Sequence, residues 1–245
     1  RKYTPSEARS LVLSEAPPSP LEYPVYLMGA YTLENLRYGL DRDDVPRHYD
    51  DPLVDYAQET DMKAALETVR DFIRDEYGFR SFLATDIPIP THEEAVARDD
   101  PAAHGMTPAT QSKLFAAVSN AVVFLFPYAG LTDGVSTELG GVSEFLELSD
   151  ELPSEPRKPP ERCLVLENAR FGSATVDEHR YDCKMTYDEY HYADDIERSL
   201  KNFLDYVWDI DQQYDRGEYP VHRLPDDYQF RAYKPEERRN TDIRM

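Results

Sequence analysis

The chain has 245 residues, enough for one large α/β domain with appendages, and carries 48 Asp plus Glu against 27 Lys plus Arg, a formal charge of −21. That balance excludes nucleic-acid binding driven by phosphate contacts, which needs clustered Lys and Arg; the one modest basic cluster, 231–239, is interrupted by Glu236 and Glu237. No stretch approaches the roughly 20 apolar residues of a membrane span, and no signal peptide is visible, so the expectation is a cytoplasmic protein without a membrane partner.

The carboxylates are spread along the whole length, and the cations are 20 Arg but only 7 Lys. Acidic interaction tails come as blocks, so this distribution reads as a surface adapted to multimolar salt, which screens its self-repulsion to about 3 Å at 1 M. The alternative is an ordinary acidic protein. Cys163 and Cys183 suit a reducing compartment, and no Cys-x-x-Cys spacing supports a metal site. No metal and no cofactor is expected.

In chain order, 1–20 is a Pro-rich N-terminal arm, with Pro17-Pro18-Ser19-Pro20 as a stiff lead-in. A first strand is predicted over 23–28, closed by Gly29-Ala30-Tyr31-Thr32, and the polar stretch 41–55 reads as a loop. Met62, Ala65, Leu66, Val69, Phe72, Ile73 and Tyr77 recur at helical spacing, with Gly78 as the stop. A second strand over 79–85 ends at Asp86. The segment 87–107 reads as a loop holding His92 and His104. A helix over 110–118 precedes a third strand, Ala121-Val122-Val123-Phe124-Leu125-Phe126, whose unbroken apolar run fits a parallel strand buried on both faces.

A loop containing Asp133 and Gly134 then leads to a helix that carries Glu138 in its first turn and runs to about 148. Pro-rich 152–160 precedes a fourth strand over 163–166. An acidic, less regular part follows, with Tyr181, Tyr187, Tyr190 and Tyr192 available to stack on a base or to pack a helix. Ile196, Leu200, Phe203, Leu204, Val207, Ile210 and Tyr214 mark one long amphipathic helix. The remainder, beyond about 220, reads as an extended tail.

Strands alternating with helices predict a parallel α/β sheet of about four to five strands, in order 2-1-3-4, with helices on both faces: a flavodoxin-like fold with a long C-terminal helix and extended tails. The expected division is an N-terminal arm (1–20), an α/β domain (21–170), a helical extension (171–225) and a tail (226–245).

Val25-Tyr26-Leu27-Met28-Gly29-Ala30, together with Ser119-Asn120-Ala121-Val122-Val123 and Asp133-Gly134-Val135-Ser136-Thr137-Glu138-Leu139-Gly140, resembles the nucleoside 2-deoxyribosyltransferases, whose signature is Asp-Gly-Thr-x-x-Glu-x-Gly. The likeness spans roughly residues 23–170, and TIR-type NAD hydrolases share the same plan, with a catalytic Glu on the helix after the equivalent strand. The acidic surface is similar to that of haloarchaeal proteins.

The resemblance implies an enzyme that cleaves or transfers an N-glycosidic bond in a nucleoside, nucleotide or NAD, with Glu138 as nucleophile. A carboxylate suits this chemistry because the transition state is oxocarbenium-like. It implies further that Tyr26 orients Glu138, that Asp133, with Gly134 beside it, contacts a sugar hydroxyl or the base, that Asp86 binds or protonates the departing base, and that Gly29 admits the ligand to the backbone. A homo-oligomer is implied as well. Two positions depart from the family: Asn120 stands where Asp is frequent, and Val135 replaces the Thr of Gly-Thr. The alternative reading keeps the fold as a non-catalytic nucleotide-sensing or assembly module. Asp133 also has a plain role as a turn former, and Glu138 as a carboxylate favoured near a helix N-terminus.

Overall fold

In the computed structural model the described residues are 2–29, 52–53, 62–97, 104–127, 133–148, 162–170, 176, 185–213 and 229–231. The turn at 30–32, most of the loop 41–55, the Pro-rich segment 152–160, Tyr181, Cys183, the side chain of Asp133 and the tail beyond 231 lie outside them.

The apolar runs found in the sequence become strands β2 (Pro24–Gly29), β4 (Ala121–Phe126) and β5 (Cys163–Asn168), and every residue in all three is buried. β3 (Arg80–Phe82) and β6 (Thr186–Tyr190) complete the sheet on either side. The order is β3-β2-β4-β5-β6 and every pairing is parallel. Counted along the sheet strands alone this is 2-1-3-4-5, so the fold is flavodoxin-like. β6 escapes sequence reading because Thr-Tyr-Asp-Glu-Tyr, on a sheet edge, shows no apolar run.

Side chains alternate across the sheet, and each face collects its own core. On one face Tyr26, Met28, Val122, Phe124, Phe126, Cys163 and Val165 pack with α4 (Pro108–Val118) and α5 (Asp133–Leu148). On the other, Val25, Leu27, Val123, Leu125 and Leu164 meet α2 (Met62–Tyr77) and the last long helix, Ala193–Gln213. That helix, with Ile196, Leu200, Phe203, Leu204 and Val207 buried, is a layer of the same core as the sheet. Burying five such side chains at about 1.5–3 kcal/mol each outweighs any local propensity in so acidic a segment.

α2 ends as its sequence dictates: Gly78 adopts φ 68°, and its N–H bonds the Arg74 carbonyl at 2.9 Å. Residues 5–15 correct the reading of a plain lead-in, because α1 (Pro5–Glu15) is a helix. Thr4 caps it, with Glu7 returning the bond to the Thr4 N–H at 2.8 Å and Pro5 in the first turn. A short helix α3 (His92–Ala97), capped by the Thr91–Glu94 pair, lies within the segment read as loop. With α3 so placed, the last helix, Ala193–Gln213, is α6. The two ends of the chain meet in a small ribbon, β1 (Lys2–Tyr3) against β7 (Phe230–Arg231), whose Phe230 packs on Phe145 of α5.

Candidate functional site at the carboxyl edge of the sheet

β2 and β4 are neighbours, yet the chain leaves β2 for α2 on one face and β4 for α5 on the other. Such a switch point opens a crevice at the carboxyl ends of the strands, where open α/β sheets bind ligands. α5 starts at this edge, and so does α4, since both run back toward the amino edge.

α5 begins at Asp133, so Asp133 and Gly134 are its first two residues and do not form a preceding loop. Glu138 accordingly stands in the second turn. A helix N-terminus attracts carboxylates mainly within its first turn, so the dipole explains Glu138 less well than the sequence alone suggested. Its side chain is partly buried. Burial pushes its carboxyl from the ordinary 4.5 up to about 7, with a smaller opposing influence from the Ser112 hydroxyl of α4. At neutral pH this carboxyl is therefore divided between its acid and its anion.

Tyr26 lies on the same face of the sheet as α4 and α5. It is 1% exposed, stacked on Phe82 at 5.2 Å and edge-on to Phe115 at 5.4 Å between ring centroids. Ser112 and Phe115 are one turn apart on α4, so Tyr26, Ser112 and Glu138 belong to one layer of the molecule.

The other expected contacts have structural occupations. Both oxygens of Asp86 are engaged, one by Arg70 Nη1 and one by the Leu83 N–H, each at 2.8 Å, which ties the end of β3 to α2. At Gly29, a Cβ would come within 2.5 Å of a Leu66 methyl of α2 and 3.3 Å of the Leu125 carbonyl, so the position is taken up by packing between α2 and the sheet. Gly134 has open space around it. His92 opens α3, with its N–H on the Met106 carbonyl at 2.8 Å; His104 is partly buried just before that strand-like contact. Tyr190 is buried in the core with its hydroxyl 3.3 Å from the Phe126 carbonyl, while Tyr192 is exposed.

Three polar groups were not found from sequence. Ser112 and Gln111 sit on the buried stripe of α4 with Leu114, Phe115 and Val118, and polar residues inside an apolar helical period were the available signal. Glu167, 4% exposed at the carboxyl end of β5, accepts a bond from Tyr187; its signal was a carboxylate directly after an apolar strand. The third is a network at the opposite, amino edge. There Arg162 donates to both oxygens of Asp211 and to the Asn120 carbonyl, and Tyr23 donates to Asp211 at 2.5 Å. Asn120 thus serves the base of the sheet and lies far from the carboxyl edge. Among the described residues no group of three or more His, Cys, Asp or Glu is placed to hold a metal ion, and no helix is long and apolar enough to cross a membrane.

No curated protein and no solved structure matches the chain. Residues 12–222, running from α1 through α6, match a family described only as a domain of unknown function, and the chain belongs to that family, DUF7509.

Proposed function

We propose that the protein cleaves or transfers an N-glycosidic bond of a nucleoside, nucleotide or NAD, with Glu138 as the reacting carboxylate. The observation that carries this reading is a partly buried Glu beside the switch point of a flavodoxin-like sheet, its carboxyl raised to about 7. In the reaction the Glu138 anion bonds to the anomeric carbon as the C–N bond breaks. The base leaves with the electron pair: a purine or pyrimidine takes a proton from solvent or a site acid, whereas nicotinamide departs from its pyridinium as the neutral base. Water then hydrolyses the glycosyl ester, or a second base intercepts it. Since the anion is the nucleophile, the rate rises with pH through about 7 and then levels.

The resemblance also supports Tyr26 as the group orienting Glu138, and Asp133 and Gly134 as ligand contacts. The acidic surface supports a cytoplasmic protein working in high salt, and the family likeness a homo-oligomer. The test is chromatography of nucleosides and NAD incubated with purified protein in multimolar KCl. Release of free base or nicotinamide is expected, and Glu138→Gln should lower it on the order of 10³-fold; full activity in that variant would remove Glu138 from the mechanism. Nicotinamide release would favour the NAD-hydrolase branch, and base exchange between nucleosides the transferase branch.

A second reading, a nucleotide-binding module without turnover, draws support from Asp86 and Gly29. Both are absorbed in packing and ion pairing, which leaves fewer groups to act on a base. Saturable nucleotide binding with no product after prolonged incubation would favour it.

A further inference from the structure

The ribbon that joins the chain ends is too short to hold itself. β1 and β7 share two residue pairs, Lys2 with Arg231 and Tyr3 with Phe230, and an isolated two-stranded ribbon is marginal in water even when it is longer. Aromatic burial fixes it instead. Tyr3 is 5% exposed and Phe230 4%, and both belong to the core on the α4 and α5 side of the sheet. The Phe230 ring meets Phe145 of α5 edge-on, at 6.1 Å between centroids, and β7 also touches α4. β1 leads straight into the capped start of α1, whose Arg9 bonds the Val118 carbonyl at the end of α4.

The second pair works against closure. Lys2 is exposed and in register with Arg231, so two cations occupy directly opposed positions in a chain where carboxylates outnumber cations 48 to 27. Like charges directly opposite each other destabilise a strand pair. Their repulsion reaches about 10 Å in 0.1 M salt and about 3 Å in 1 M. We propose that the paired chain ends form a salt-dependent strap over α4 and α5: Tyr3 and Phe230 close it, and the Lys2–Arg231 opposition loosens it as salt is withdrawn.

The net charge of −21 acts in the other sense, because it draws the cations of both strands toward the body at low salt. Reversing the charge at position 2 separates the two forces: it turns a like pair into an opposite one, and it turns attraction to the body into repulsion. The strap bears on the site through α5, where Phe145 stands two turns along from Glu138. As a control on base release it rests on the function proposed above; as a property of the fold it does not.

The experiment reads amide hydrogen exchange by NMR at residues 2–3, at 230–231 and in α5, in about 0.2 M and about 2 M KCl, with β4 amides as the reference. Relative to that reference, ribbon amides of the wild type are expected to exchange roughly two- to fivefold faster at the lower salt, and Lys2→Glu should abolish the difference. Phe230→Ala should open the ribbon at both salt levels by at least about tenfold and speed exchange around Phe145. Phe230→Leu, a smaller change, serves if the alanine variant does not fold. Unchanged exchange around Phe145 in both Phe230 variants overturns the proposal. So does a ribbon that Lys2→Glu loosens at low salt or leaves as salt-sensitive as before. A ribbon that behaves as expected in a protein that releases no base leaves the strap standing and sinks the glycosidic reading instead.

Discussion

The two edges of the sheet treat buried charge in opposite ways. At the amino edge the Arg162 guanidinium, 1% exposed, is met by both oxygens of Asp211 and by the Asn120 carbonyl, and Tyr23 adds a further donor to Asp211. Arg9 of α1 extends the network, donating to the Val118 carbonyl at 2.7 Å at the C-terminal end of α4, where a cation also complements the helix dipole. This clamp gathers the approaches to β2, β4 and β5 with the ends of α4 and α6. At the carboxyl edge, burial is the dominant influence on Glu138, and its carboxyl sits near 7. Dense mutual satisfaction marks a group retained for the fold; a carboxylate left poised between two protonation states marks one available for chemistry.

Breaking the amino edge should give the largest effect on stability. Asp211→Ala leaves the Arg162 charge buried without its carboxylate, and the loss is expected to be about 3–5 kcal/mol by chemical denaturation. The fraction that remains folded should keep the Glu138 titration of the wild type. A loss below about 1 kcal/mol would show that the buried pair merely breaks even with its desolvation, and the contrast between the edges would lose its energetic half.

The carboxyl edge should respond with the opposite sign. The folded carboxyl of Glu138 is raised from 4.5 to about 7, so below 4.5 it is neutral in both states and costs nothing. As pH rises from 4.5 to 7 the unfolded chain ionises more readily than the folded one, and stability falls; above 7 the loss is complete and constant. Glu138→Gln should therefore be more stable than wild type at pH 8, by no more than about 3 kcal/mol and less after solvent screening of a partly exposed group, and equal to it near pH 4. Thermal unfolding at the two pH values tests this. A variant destabilised at pH 8 would make Glu138 a structural carboxylate like Asp86.

The sequence carried the sheet well because its central strands are buried on both faces, which prints them as unbroken apolar runs such as Ala121–Phe126. α2 was equally legible, since its apolar period and its left-handed Gly78 agree. What escaped is polar and long-range. Arg162 and Asp211 are 49 residues apart, and nothing local distinguishes them from the other charges of so acidic a chain. The burial of Gln111 and Ser112 emerges only when α4 is laid against the rest of the core. Glu138 was legible through the motif around it, but its depth in the helix and its raised carboxyl came from packing. α1 is a different case, because Thr4-Pro5-Ser6-Glu7 is a capping-box pattern that the surrounding prolines obscured.

Gly78→Ala probes the amino edge more gently. The residue holds φ 68°, and its carbonyl accepts the Leu21 N–H at 2.9 Å just before β2, so the strain of a Cβ should cost about 1 kcal/mol. Base release should be untouched, and a neutral change in stability would mean that the turn relaxes without disturbing the start of the strand.

Thr4→Ala, with an effect of the same small size, asks how far the amino-edge clamp depends on α1. The Thr4 hydroxyl accepts the Glu7 N–H at 3.3 Å, while Glu7 returns to the Thr4 N–H, so the substitution leaves one orphan donor and removes half of a reciprocal pair; about 1 kcal/mol is the expected cost. Arg9 lies one turn further along the helix. If the cap holds that turn in place, hydrogen exchange at the end of α4 and around Asn120 should speed up in the variant, while amides around Ser112 and Glu138 keep their wild-type rates. Equal acceleration at both edges would mean that α4 transmits the disturbance along its length, and the edges would then have to be treated as one mechanical unit.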